Sequence, residues 1–217
     1  TGTVPGGTNG PCAGCHMKGS EGHVFKAVTN TTGPIDDIMS YDSTCSKCHF
    51  SGKAALINLL DSNHTGFLAS LDALKDLLLS QKGYSFYPAH PYFYNAAGYD
   101  PAYVETTASP HCQKNLAVKN WLTGGSNNYI YDGTTCVFDY QNDGTAGTGK
   151  DNMGAAFNYT LLHHEPGAYV HNLLYTKRLI YDSIDYLDDG AMNQSVKTTL
   201  DGLGYTAASG FLGSSRP

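Results

Sequence analysis

The sequence predicts a mainly α-helical protein with long irregular loops and little β-structure. In two stretches, 54–81 and 166–188, apolar residues recur at the three- and four-residue spacing of a helix face. Elsewhere turn-forming residues are dense, with 25 Gly and 9 Pro among the 217 residues. The sequence shows no alternation of strands with helices and no series of regularly spaced strands, so a sheet-based fold is not expected.

The individual elements follow from this periodicity and its interruptions. Asn63-His64-Thr65-Gly66 is expected to break the first stretch into two helices. Asp151 is expected to cap a helix that runs to about His164, and Pro166 suits the first position of a long helix with an apolar stripe from Val170 to Leu187. The sequence also predicts a short helix over 113–122, a small hairpin within 129–140 and an irregular aromatic loop over 83–110.

The composition favours one exported domain. Residues 1–217 are expected to form a single domain, with an attachment segment over 1–52, a helical and loop part over 53–200 and a loose tail over 201–217. A formal charge of −6 disfavours nucleic-acid binding, and no apolar run reaches the length of a membrane span. The chain opens without Met or a leader, which suggests the product of a processed precursor.

Four of the six cysteines lie in two Cys-x-x-Cys-His motifs. These are Cys12-Ala-Gly-Cys15-His16 and Cys45-Ser-Lys-Cys48-His49. Two thiols at this spacing form thioethers to the two vinyl groups of one haem, and the following His is the proximal iron ligand. A zinc ribbon, a thioredoxin-like motif or a disulfide framework would not require the His after each pair. The sequence therefore predicts two c-type haems, which would organise the core.

The other two cysteines, Cys112 and Cys136, are not followed by a His that would complete an attachment motif. In an exported protein their simplest role is one disulfide that closes a loop of about 24 residues. A cryptic third haem site is the alternative.

The sixth iron ligands are expected to be histidines, because seven remain and none of the four Met residues stands out. His23 lies seven residues after His16 in a Gly-flanked turn, too close to reach the far face of its own haem, and is expected to reach the neighbouring one. His171 is predicted in the first turns of the long helix, off its apolar stripe. The second-rank candidates are His164, His163 and His64, and the weakest are His90 and His111.

Several segments resemble extracellular multihaem c-type cytochromes of metal-reducing bacteria. The most specific is the block Glu-Pro-Gly-Ala-Tyr-Val-His that ends at His171. The other matching segments are 12–29, 67–75, 87–94, 154–164 and 175–189. The resemblance implies electron transfer outside the cell by bis-His haems, with His23 and His171 in the positions of typical ligands. Some members of this family polymerise into filaments in which an axial His crosses the subunit interface.

One departure from this family is the number of haems, since its members usually carry four or more and this chain has two motifs. The predicted function is electron transfer without catalysis, because two six-coordinate irons leave no open position for a substrate. The chain is expected to form an extracellular or cell-surface homopolymer that exchanges electrons with redox proteins or extracellular acceptors. The alternatives are a soluble periplasmic dihaem shuttle, a dihaem peroxidase-like enzyme with one five-coordinate haem, and a structural protein.

Overall fold

The computed structural model describes residues 16, 27–30, 34–42, 44–86, 88, 92–95, 121, 129–131, 136–138 and 148–217. The chain divides into two compact units, 1–65 and 66–217. The described part of the protein is mainly helical with little strand, which confirms this part of the predicted fold class. In that part, no helix combines the length and apolarity that crossing a membrane requires.

The first unit is built around a short 3-10 helix, Cys45–Lys47, and the beginning of the long helix α1, Lys53–Lys82. Its small apolar core consists of Ile35, Ile38 and Leu56. The segment before the 3-10 helix is tied to α1 by polar bonds, because Ile35 N donates to Asp61 Oδ1 at 2.7 Å and Lys53 pairs with Asp37 at 2.7 Å. This unit therefore holds the second Cys-x-x-Cys-His motif against α1.

The predicted break in α1 at 63–66 is wrong, because the helix is continuous from Lys53 to Lys82. The reason lies in tertiary packing: a Cβ on Gly66 would lie 2.5 Å from Cβ of Phe211, so glycine at this position admits a close neighbour. The helix ends instead at Gly83, which has φ of +72° and donates its N–H to Leu79 O at 2.8 Å.

In its described residues, the second unit contains the later part of α1, five further helices and two small hairpins. The helices are α2 (Thr148–His163), α3 (Ala168–His171), α4 (Leu173–Asp189), α5 (Val196–Gly202) and α6 (Thr206–Leu212). The strands are β1 (Tyr84–Phe86), β2 (Phe93–Asn95), β3 (Tyr129–Tyr131) and β4 (Cys136–Phe138), paired antiparallel as β1–β2 and β3–β4. The β3–β4 pair confirms the predicted hairpin, whereas β1–β2 lies in the segment predicted as irregular loop.

Asn172 divides the long helix that was predicted from Pro166 to Asp188. With φ of −152° and ψ of 72° it leaves the helical region, and its Oδ1 accepts the Tyr175 N–H at 3.3 Å, so it caps α4. The predicted apolar stripe is correct for α4, where Ile180, Ile184 and Leu187 are buried. It is wrong around the break, since Val170 and Leu174 are 51% and 70% exposed.

The C-terminal segment differs from the loose tail predicted over 201–217. Helix α6 lies within it, and Ala208, Phe211 and Leu212 are buried in the core. The turn before α5 is fixed by the buried carboxylate of Asp185, which accepts the backbone N–H groups of Gln194 and Ser195 at 3.0 and 2.8 Å. The predicted helix over 113–122 lies outside the described residues, apart from Trp121.

Gly66→Ala should destabilise the protein although alanine is the better helix former. The added Cβ would collide with Phe211, which is only 8% exposed, and such overpacking costs about 1–3 kcal/mol. Gly154→Ala in α2 is the matched control, because a Cβ there meets nothing within 4 Å and should stabilise the helix by about 1 kcal/mol. Urea unfolding of both variants checks the opposite signs, and equal effects at the two positions would contradict the packing explanation.

Candidate functional site

The second attachment motif, Cys45–His49, folds as one tight helical turn. Cys48 N and His49 N both donate to Cys45 O, at 3.1 and 2.8 Å, and Cys45 N donates to Ser40 O at 3.3 Å. Neither Cys45 nor Cys48 is in a disulfide. The two thiols and the histidine thus lie within one hydrogen-bonded turn of backbone, as attachment to one haem requires.

The outer side of this motif is exposed and apolar. Cys48 and His49 are exposed, and the following Phe50 shows 86% of its surface. The Tyr41 hydroxyl donates to His49 O at 3.1 Å, which fixes the backbone beside the proximal ligand. A haem attached here would find an accessible thiol, an accessible imidazole and an aromatic ring to cover.

Much of the rest of the predicted site lies outside the described residues. In the first motif, the structure describes only His16, which is half-buried. The positions outside the description are Cys12, Cys15, His23, His90, His111 and Cys112. The Cys112–Cys136 disulfide stays a prediction, with the backbone of Cys136 placed in β4.

His163 is the last residue of α2 and His164 follows it, but their surroundings differ. The His163 ring stacks on Tyr159 with 5.6 Å between centroids and meets Phe86 edge-on at 4.9 Å. Burial, followed by the neighbouring charges of His164 and Lys75, lowers the pKa of His163, which favours the neutral ring. Burial also raises the pKa of Tyr159 to about 12, with smaller contributions from Asp72 and Asp76.

His164 is held in one tautomer by its own helix. Its Nδ1 lies 2.8 Å from the carbonyl oxygen of Thr160, four residues earlier. Because a carbonyl can only accept a hydrogen bond, Nδ1 must carry the proton. In the neutral ring the lone pair is then on Nε2, the arrangement that suits a metal ligand.

His171 has the same tautomer for a different reason. Its Nδ1 lies 3.1 Å from Oε1 of Glu165, and a carboxylate also can only accept. The side chain of His171 is 58% exposed, which leaves it accessible to a haem. The expected place of His171 in the first turns of a long helix is wrong, since it is the last residue of the four-residue α3.

His64 lies in the interior of α1, where it is half-buried. The described structure thus brings His163, His164 and His171 into the segment from α2 to α3, whereas His64 belongs to the first unit. The sequence prediction missed the two acceptors, Thr160 and Glu165. The four-residue spacing from Thr160 to His164 could have suggested the first of them, but no periodicity relates Glu165 to His171.

The motif turn and the ring tautomers are compatible with one class of protein. A folded Cys-x-x-Cys-His turn, together with histidines whose Nε2 atoms hold the lone pair, suits a c-type cytochrome. The chain is 40% identical to the C-type polyheme cytochrome OmcB of Geobacter sulfurreducens, both in strain DL-1 / KN400 and in strain ATCC 51573 / DSM 12127 / PCA. It is likewise 40% identical to the C-type polyheme cytochrome OmcC of the latter strain.

Each of these alignments spans 234 residues and covers 100% of this chain. The chain spans only about a quarter of the relatives, 27% of OmcB and 26% of OmcC. No family model and no solved structure matches the chain.

The comparisons confirm the resemblance to polyhaem c-type cytochromes of a metal-reducing bacterium. Both relatives are named as polyhaem cytochromes, which agrees with the prediction of a c-type haem protein. The number of haems in this chain and the identity of the distal ligands stay predictions.

Proposed function

We propose that this chain transfers electrons through two covalently attached c-type haems, one on each Cys-x-x-Cys-His motif. The observation that carries the proposal is the identity of 40% with polyhaem cytochromes over the whole chain, in a sequence that contains both motifs. When bound, each haem supplies a one-electron couple at its iron. The chain's own residues attach the haems, ligate the irons and exclude substrates from them.

In the second motif, Cys45 and Cys48 form the thioethers and His49 is the proximal ligand. The first motif assigns the same roles to Cys12, Cys15 and His16. His23 and His171 complete the coordination of the two irons, with His164, His163 and His64 as the next candidates. Six-coordination by two histidines lowers the reduction potential relative to a His/Met pair.

The proposal extends to an exported protein that assembles with copies of itself. Exposed apolar residues support it: Met153, Phe157 and Leu161 follow each other at four-residue spacing on one side of α2 and are 52%, 62% and 44% exposed. A self-associating chain would bury this stripe between subunits. Electrons would then pass along the homopolymer to redox proteins or to extracellular acceptors.

A pyridine haemochrome assay on acid-extracted protein should find two covalently bound haems per chain, as the two motifs require. The double variant Cys45→Ser with Cys48→Ser should retain one. Ser46→Ala, which changes a residue inside the same motif without removing a thiol, is the matched control and should keep both. One or three haems in the unaltered chain would contradict the proposed count.

The oxidised protein should be low-spin, without the near-infrared band of Met–iron ligation. His23→Ala and His171→Ala should each convert about one haem in two to high spin, because loss of a distal ligand leaves one iron five-coordinate or water-bound. His90→Ala and His111→Ala serve as controls and should leave the spectrum unchanged. If the His171→Ala protein stays low-spin, the distal ligand is instead His164, His163 or His64. A high-spin unaltered protein would favour the peroxidase-like alternative.

Electron microscopy of the purified protein should show polymers. Phe157→Glu should yield monomers that keep both haems, because it places a charge in the exposed apolar stripe of α2. Thr206→Glu adds the same charge at an exposed position of α6 and should still assemble. Monomers of the unaltered chain at all concentrations would favour the soluble periplasmic shuttle.

A further inference from the structure

The imidazole of His171 packs against Glu165 and Gly167, in the segment between α2 and α3. His171 Nδ1 is 3.1 Å from Glu165 Oε1, and the His171 backbone N–H donates to Gly167 O at 2.9 Å. The ring also lies directly over Gly167. A Cβ on that glycine would be 2.7 Å from Cε1 of the His171 ring, 3.0 Å from its Nδ1 and 3.1 Å from Glu165 Oε1.

We propose that Glu165 is a positioning residue for His171 as a haem ligand, and that Gly167 supplies the space in which the pair forms. The proposal rests on the proposed function, since it gives His171 an iron to ligate. Glu165 fixes the ring orientation and keeps the proton on Nδ1. The lone pair of the neutral ring is therefore on Nε2, which is the atom that would bind iron.

The carboxylate has an electronic consequence that a backbone carbonyl lacks. A ligating imidazole that donates its second N–H to a carboxylate becomes a stronger electron donor, as in carboxylate–histidine–metal triads. A stronger donor favours the ferric state. The haem ligated by His171 should therefore have a lower reduction potential with Glu165 present than without it. His164, whose Nδ1 donates to the uncharged carbonyl of Thr160, has the same tautomer without this charge.

Glycine at 167 leaves open the space that the His171 ring and the Glu165 carboxylate occupy together. Glu165 and His171 have side-chain exposures of 51% and 58%, and an exposed ion pair contributes little to stability. Gly167 has φ of −93°, which any L-residue can adopt, so its backbone does not require glycine. A Cβ at this position would instead displace the ends of two exposed side chains, the His171 ring and the Glu165 carboxylate, and so would disturb their pairing.

The test compares five variants of the haem-loaded protein by spin state and by redox titration: two at Glu165, one each at Gly167 and Gly154, and His171→Ala. Glu165→Gln keeps the size and an acceptor oxygen, so both haems should stay low-spin. The potential of one haem should rise by the equivalent of about a tenfold change in its redox equilibrium, about 59 mV. Glu165→Ala removes the acceptor and should leave part of that haem high-spin.

Gly167→Ala should also give a high-spin fraction, because its Cβ would displace the ring while the backbone conformation stays allowed. Gly154→Ala is the matched control, since a Cβ there meets nothing within 4 Å, and it should leave spin state and potentials unchanged. A low-spin state that is kept in Glu165→Gln but lost in Glu165→Ala would show that the acceptor oxygen positions the ring. A general effect on folding would not distinguish the two variants in this way.

The outcomes distinguish the two proposals. Absence of covalent haem in the unaltered protein would overturn the proposed function itself. A low-spin His171→Ala protein would overturn the role of His171, and with it that of Glu165, while electron transfer through another ligand stands. A high-spin His171→Ala protein with unchanged potentials and spin states in both Glu165 variants would overturn the positioning role alone.

Discussion

The second unit depends on the close approach of Phe211 to Gly66. Because residue 66 has no Cβ, Phe211 of α6 packs directly on the backbone of α1 and is buried. Tyr205 adds a hydrogen bond to Asp76 of α1 at the start of α6. The missing side chain at position 66 thus makes room for α6, a seven-residue helix that its Gly/Ser-rich sequence alone would not stabilise.

Local patterns made part of the structure predictable. The attachment motif and the apolar stripes of α1 and α4 depend on residues within one or two helical turns of each other. The local sequence spacing is therefore enough to predict them. The hairpin over 129–140 likewise depends on a short turn-rich segment between two aromatic strands. The comparisons with polyhaem cytochromes confirm the class that the two motifs indicated.

The differences from the sequence prediction have two causes, a remote partner and a local choice between alternatives. The sequence predicts a helix break at Gly66 because its packing partner, Phe211, is distant in the sequence. It predicts Asn172 inside a helix because the propensity of Asn does not exclude one, whereas its side chain caps α4. Glu165 could not be identified because its contact with His171 requires the turn around Gly167 to form first.

Some of the exposed apolar side chains lie where the proposed haems would cover them. Phe50, which follows His49, and Leu174, three residues after His171, are 86% and 70% exposed, so each is close in sequence to a predicted iron ligand. Large side chains exposed singly need no explanation, but here they flank the predicted ligands in both units. A haem macrocycle covering them would remove apolar surface from water at about 25 cal/mol per Å². The porphyrin would then extend the apolar core of each unit, in a chain where only 15% of the residues are charged.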